Sequence, residues 1–143
     1  MKEQFMSTKD DWETPQDLYD KLHSQWKFTL DPCCCSHSQK CKEGFPFDYG
    51  FDGLKESWRG HTVYMNPPYG REIGKWIEKA YNESKDKNTV VVALLPSRTD
   101  TRWFHNYIYN RHEITFIKGR LKFQGAKHNA PFPSMIVVFK TRL

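Results

Sequence analysis

The stretch Met65-Asn66-Pro67-Pro68-Tyr69-Gly70 gathers groups that could do chemistry on a nitrogen. The side-chain carbonyl of Asn66 can accept a hydrogen bond from an amino group. Pro67 has no N–H and offers only its backbone carbonyl, a second acceptor. Two consecutive proline rings stiffen the turn, so both acceptors are preorganised. Tyr69 adds an aromatic plane for stacking. Two acceptors and a plane suit a planar –NH2 substituent on a ring or an amide. Drawing both amino hydrogens away raises electron density on that nitrogen and makes it a better nucleophile. The plainer alternative is a rigid strand-to-helix turn with Asn66 as a cap.

Two further polar stretches fall where apolar runs end: Asp31-Pro32 and Pro96-Ser97-Arg98. In an open α/β sheet, ligands bind beyond the carboxyl ends of the strands. These two stretches and the Asn66 turn are therefore expected to converge on one crevice. Cys33, Cys34, Cys35 and Cys41, with His37 among them, raise a zinc site as an alternative. Their spacing matches none of the common zinc patterns, so no metal is expected. Small residues in a tight loop of a reduced, cytosolic protein are the preferred reading.

The elements that must position these groups follow from periodicity. Thr14-Pro15 opens a helix over "QDLYDKLHSQW", with Thr14 as N-cap and Pro15 at the first helical position. "KFTLD" reads as a strand ending at Asp31-Pro32, and irregular sequence follows. "HTVYM" is the next strand. "EIGKWIEKAYNESKDK" is amphipathic, with Ile73, Trp76, Ile77 and Ala80 at helical spacing. "TVVVALLP" is apolar throughout, as a strand buried on both faces should be. "TDTRWFHNYIYNR" is a further helix, with Trp103, Phe104 and Tyr107 assigned to its core face. "EITFIKG", "RLKFQG" and "SMIVVFK" are expected strands. The last two, with no helix between them, are expected as an antiparallel edge hairpin. Alternating strands and helices after residue 60 imply an α/β protein with a partly parallel sheet.

The 143 residues suit a single domain, 1–143, in which residues 1–10 are expected to be flexible. The longest apolar run is too short to span a bilayer, so no membrane partner is expected. The opening "MKEQFMSTKDDWETP" has no apolar core, so a secretory signal is not expected and the cytoplasm is the expected location. A net charge of +5 leans toward a polyanionic partner. Lys118, Arg120, Lys122, Lys127 and His128 cluster in "KGRLKFQGAKHN", which reads as a phosphate-binding segment, and Arg71 and Arg98 lie near strand ends and could join it. A merely solvated hairpin is the alternative.

"NPPY" after an apolar strand resembles motif IV of the amino-methyltransferases that use S-adenosylmethionine. "WETPQDLYDKL" looks like their opening motif, which lies beside the cofactor. "FTLDPCCCSHSQKC" looks like their first cofactor-binding loop, although it lacks the usual glycine turn. Together with "DGL…W", "ALLPSRTDTRWFH", "FIKGRLKF" and "APFPS", all in order, the set closely resembles the phage-type DNA N-6-adenine methyltransferase (Dam-like) family. The similarity runs from about Trp12 to Phe139.

The resemblance implies a Rossmann-like methyltransferase fold. Only 30 positions separate Asp31 from His61, so the sheet is expected to be pared down at that edge. It further implies methyl transfer from S-adenosylmethionine to adenine in double-stranded DNA, with flipping of the target base. In the catalytic turn Asn66 and Pro67 hold the target amino group, Pro68 shapes the turn and Tyr69 stacks on the base. Trp12, Thr14, Pro15, Pro32, Cys33 and Asn66 line the cofactor pocket. Asp31 faces the cofactor's ammonium. Asp52 is assigned to the adenine amino group of the cofactor, with Asp48 as rival, and Phe51 to stacking on that ring. Methylation of RNA adenine or of a protein glutamine fits "NPPY" equally, and a non-catalytic nucleic-acid-binding module is the reading from a different class.

Overall fold

The computed structural model describes residues 11–34 and 38–141. Residues 1–10, expected to be flexible, and Cys35 and His37 lie outside this range. In chain order the elements are helix α1 (Gln16–Trp26), strands β1 (Leu30–Cys34) and β2 (Glu43–Pro46), a 3-10 turn (Phe47–Tyr49), β3 (Thr62–Met65), helix α2 (Ile73–Glu83), β4 (Val90–Pro96), helix α3 (Arg102–Tyr107), β5 (Glu113–Phe116) and β6 (Ser134–Phe139). The six strands form one mixed sheet in the order β2-β1-β3-β4-β6-β5. β2, β1, β3 and β4 run parallel, and β6 is antiparallel to both of its neighbours. No helix among the described residues is long and apolar enough to cross a membrane.

Sequence pattern and position agree most closely in the centre. β4, uniformly apolar, is buried from Val91 to Pro96 and is paired on both sides. The β3–α2–β4 crossover pairs Thr62 with Val90 through Met65 with Ala93. α2 buries Ile73, Trp76, Ile77 and Ala80, the spacing read from sequence. On α1 only Tyr19 is buried, its ring 5.2 Å from that of Tyr64 on β3 and 5.6 Å from Phe28. Side chains alternate along a strand, so Val63 and Met65 face the other side of the sheet from Tyr64.

The structure departs from the sequence expectation at several places. β1 does not end at Asp31-Pro32 but continues through Cys34. The reason is β2, built from "EGFP", which reads as irregular and yet gives β1 a parallel partner. The register shifts between Asp31 and Cys34, and that irregularity accommodates Pro32. Cys33 and Cys34 therefore belong to a strand rather than a tight loop. Thr14 does not cap α1: the N-cap is Pro15, without a side-chain bond. α3 has only six residues, capped by the Thr101 side chain at 3.2 Å from Phe104 N, and Asn110 at φ 61° turns the chain toward β5.

"RLKFQG" is not a strand. Phe123 is buried in an aromatic cluster with Trp12, Tyr69 and Phe132, and the backbone of Gln124 donates to Glu13 O at 2.9 Å instead of to the sheet. The antiparallel pair at this edge is β5 with β6, with residues 117–133 between them. β6, buried at all six positions, takes the inner slot between β4 and β5, while "EITF" carries the mostly exposed edge.

Candidate active site

The carboxyl ends of β1 and β3 open on a cavity of about 650 Å³. Its walls come from the segment before α1, from residues 31–34, 38 and 40, from Phe45, Phe47 and residues 50–54, and from the turn at 66–68 with Tyr64, Glu72, Trp76 and Gln124; Asp48 is not among them. The volume falls in the roughly 300–1,000 Å³ range of cofactor pockets.

Asn66 is fixed by its amide nitrogen. Nδ2 donates to the carbonyl of Trp12 and to Thr14 Oγ1, the latter at 3.1 Å. A carbonyl can only accept, so this pairing decides which end of the amide is which. Oδ1 is buried and has no hydrogen-bond partner among the described residues. A buried carbonyl without a partner costs about 1–3 kcal/mol. The acceptor is thus held ready for a donor from a ligand. Pro67 and Pro68 line the same cavity.

Asp31 is 3% exposed. Its Oδ2 accepts from the backbone N–H of Lys40 at 2.9 Å. Burial pushes the carboxyl up to about 7, although the amides of Lys40 and Cys33 and the charge of Lys40 act to lower it. Lys40 reaches across to the segment before α1, with Nζ 3.3 Å from Glu13 Oε2 and 3.0 Å from Gln16 Oε1. Lys40 and Glu13 line the cavity, and sequence reading missed both. Neither sits in a motif, and their ion pair spans 27 positions, so no local spacing marks it.

The third wall is aromatic. Phe51 is 43% exposed, its ring 5.8 Å from Phe45. Asp52 Oδ1 accepts from Leu54 N at 3.0 Å and closes a turn. Gly53 then passes so close to β1 that an added Cβ would run into the Pro32 carbonyl oxygen and lie 2.9 Å from Trp76 Cη2. Its own carbonyl accepts from Trp58 Nε1 at 2.9 Å. Gly53→Ala is expected to lower stability by about 1–3 kcal/mol, the usual cost of overpacking. Denaturant unfolding would measure this, and a midpoint equal to that of the unsubstituted chain would contradict it.

Of the residues singled out from sequence, the cavity brings together Trp12, Thr14, Asp31, Pro32, Cys33, Phe51, Asp52, Asn66, Pro67 and Pro68. Pro15 and Tyr69 are not among its walls. Tyr69 is 3% exposed, with its ring 5.6 Å from Phe132 and its hydroxyl donating to Leu94 O at 2.9 Å. Leu94 lies one residue beyond the last β3–β4 pair, and Tyr69 satisfies its carbonyl. The ring therefore packs in the core and does not offer a face to a base in this arrangement. Cys33, Cys34 and Cys41 are free thiols, and no metal-binding cluster of His, Cys, Asp or Glu occurs among the described residues. Arg71, Arg98, Lys118, Arg120, Lys122, Lys127 and His128 are all exposed. Arg98 Nη1 lies 3.4 Å from the carbonyl of Tyr69, which places it beside the catalytic-turn candidate.

Comparison with known proteins bears on this arrangement. The model of the DNA N-6-adenine-methyltransferase (Dam) family matches residues 2–142. A DNA N-6-adenine-methyltransferase of Haemophilus phage HP1 (strain HP1c1) is 33% identical over 113 residues, which cover 78% of this chain. The matched region spans 64% of that relative's length. With the family model matched almost end to end, the chain belongs to the DNA N-6-adenine-methyltransferase (Dam) family.

Proposed function

We propose that the chain transfers a methyl group from S-adenosylmethionine to the exocyclic amino group of adenine in double-stranded DNA, with the target base flipped out of the duplex. The observation that carries this reading is the Asn66 amide, held by its nitrogen and left with a buried, unpartnered carbonyl oxygen. With the Pro67 carbonyl it supplies the two acceptors that an –NH2 group requires. A duplex base cannot reach such a recess, so extrusion is part of the proposal. The four parallel strands, with the cavity at their carboxyl ends, fit a Rossmann-like methyltransferase sheet.

Asp31 is assigned to the cofactor's ammonium, Phe51 to its adenine ring and Asp52 to the adenine amino group. Trp12, Pro32 and Cys33 complete the pocket. The bound cofactor supplies a methyl group already activated on a sulfonium, so the residues need not remove a proton before transfer. Their work is to orient the amino nitrogen, accept its hydrogens and keep water out.

Methyl transfer to duplex DNA, RNA and protein should be measured in parallel with labelled S-adenosylmethionine, followed by digestion and identification of the modified residue. Label in N6-methyladenine of DNA is expected. Label confined to RNA or to glutamine would replace the substrate, and no label in any of them would overturn the reading.

Lys118, Arg120 and Lys122 lie in the segment between β5 and β6, and none of them joins an ion pair among the described residues. They are assigned to DNA phosphates, together with Lys127, Arg71 and Arg98. Neutralising the three together should weaken DNA binding and flatten its salt dependence, with each lost contact lowering the slope of log K against log salt by about 0.9. Cofactor affinity should not change. A triple variant with the unsubstituted slope would move the footprint elsewhere.

A further inference from the structure

The Asn66 amide is built into a chain of hydroxyls that its role as an acceptor does not explain. Nδ2 donates to Thr14 Oγ1, and Thr14 Oγ1 in turn shares a buried hydrogen bond with the hydroxyl of Tyr64. Tyr64 itself has no freedom: it is 1% exposed, and its ring packs against Tyr19 and against Phe28, the latter at 5.3 Å. The Thr14 hydroxyl is therefore anchored from the sheet side at Tyr64 and receives Asn66 from the other. The same amide is tied by the Trp12 carbonyl. An asparagine amide is close to symmetric in shape, and only its partners say which end is the oxygen. The Trp12 carbonyl can only accept and so excludes the flipped orientation, and the Thr14 hydroxyl completes the set by accepting from the same nitrogen. They also polarise the amide, because hydrogen bonds in a chain strengthen one another, and this makes Oδ1 a better acceptor.

We infer that Thr14 and Tyr64 are positioning residues for the methyl-transfer reaction: the Tyr64–Thr14 hydroxyl pair fixes the Asn66 amide with its carbonyl oxygen toward the substrate amine. This rests on the function proposed above. It assigns Thr14 to the acceptor side of the reaction, whereas the resemblance places it with the cofactor. The two assignments differ in what they predict. A cofactor contact shows in the affinity for S-adenosylmethionine. A positioning contact shows in kcat.

The test uses Thr14→Val, which keeps the shape and removes the acceptor, Thr14→Ser, which restores the hydroxyl, and Tyr64→Phe, which keeps the ring. Thr14→Val and Tyr64→Phe are expected to lower kcat by about 10–100-fold, by analogy with the loss of partners that orient metal ligands. The dissociation constant for S-adenosylmethionine should be unchanged, and Thr14→Ser should recover most of the rate. A second readout does not depend on turnover. In a 15N-labelled chain the Asn66 side-chain amide protons should exchange slowly with solvent and should exchange faster in Thr14→Val. Wild-type kcat in either variant, a loss that appears only in cofactor affinity, a Thr14→Ser variant as slow as Thr14→Val, or fast exchange of the Asn66 amide in the unsubstituted protein would each overturn the inference. An unsubstituted chain that methylates no DNA adenine would instead overturn the proposed function, while the exchange measurement would still report on the hydroxyl pair.

Discussion

Replacing Asn66 by Ala should lower methyl transfer by on the order of a hundredfold or more, because an acceptor aimed at the reacting group is lost. The affinity for S-adenosylmethionine should stay close to that of the unsubstituted chain. The reasoning is geometric. Asn66 gives its nitrogen to Trp12 and Thr14 and keeps Oδ1 for a donor that the described residues do not supply. Steady-state turnover on duplex DNA, with calorimetric titration of the cofactor beside it, separates the two effects. Near wild-type turnover would remove Asn66 from the reacting centre. Equal losses in both measurements would show that the substitution had collapsed the segment before α1.

Asp31→Asn is expected to produce the next largest effect, a loss of cofactor affinity of roughly 1.5–3 kcal/mol, the worth of a charge-assisted contact. Asn keeps an acceptor for the Lys40 amide, so the strand end should hold its shape. The pH dependence gives a sharper signature. Burial raises the Asp31 carboxyl from 3.8 to about 7. The folded chain thus holds this proton more tightly than the unfolded one does. Its contribution to stability is fully present below about 3.8 and is lost as pH rises through about 7. A cationic ligand favours the carboxylate. Affinity for S-adenosylmethionine should therefore climb as pH rises toward about 7 and level off above it. In Asp31→Asn that climb should vanish. An unsubstituted chain whose affinity is flat from pH 5 to 8, measured by titration, would contradict the assignment of Asp31 to the ammonium.

The parts legible in the sequence are those whose cause is local. The apolar run of β4 is short and valine-rich, as a doubly buried strand should be, and the spacing of Ile73, Trp76, Ile77 and Ala80 presents one helical face. The turn at Asn66 announces itself by its prolines. The illegible parts are those decided by distant partners. β2 exists because β1 lies beside it, not because "EGFP" favours extension. "RLKF" alternates like a strand, yet Phe123 is drawn into the cluster of Trp12, Tyr69 and Phe132, and no edge pairing forms among the described residues. Tyr69 looks like a platform in a tetrapeptide, but the carbonyl of Leu94 claims its hydroxyl. Thr14 reads as a helix cap because its neighbours read as a helix. Its partners are 50 and 52 positions away, and no window along the chain reports them.

The brace between the segment before α1 and residues 117–133 also sets when the site can exist. Trp12, whose carbonyl orients Asn66, is packed against Phe123 and Phe132, and Glu13 is bonded to Gln124. A chain leaving the ribosome makes the Asn66 turn early, but the residues that steady Trp12 emerge some sixty positions later, as the interval from Asn66 to Phe132 shows. Closing so long a loop carries an entropic cost that must be met before its contacts reward it. The brace on Trp12 is therefore in place only once Phe123, Gln124 and Phe132 have docked against the segment before α1, and a fragment lacking them would carry the Asn66 turn without it.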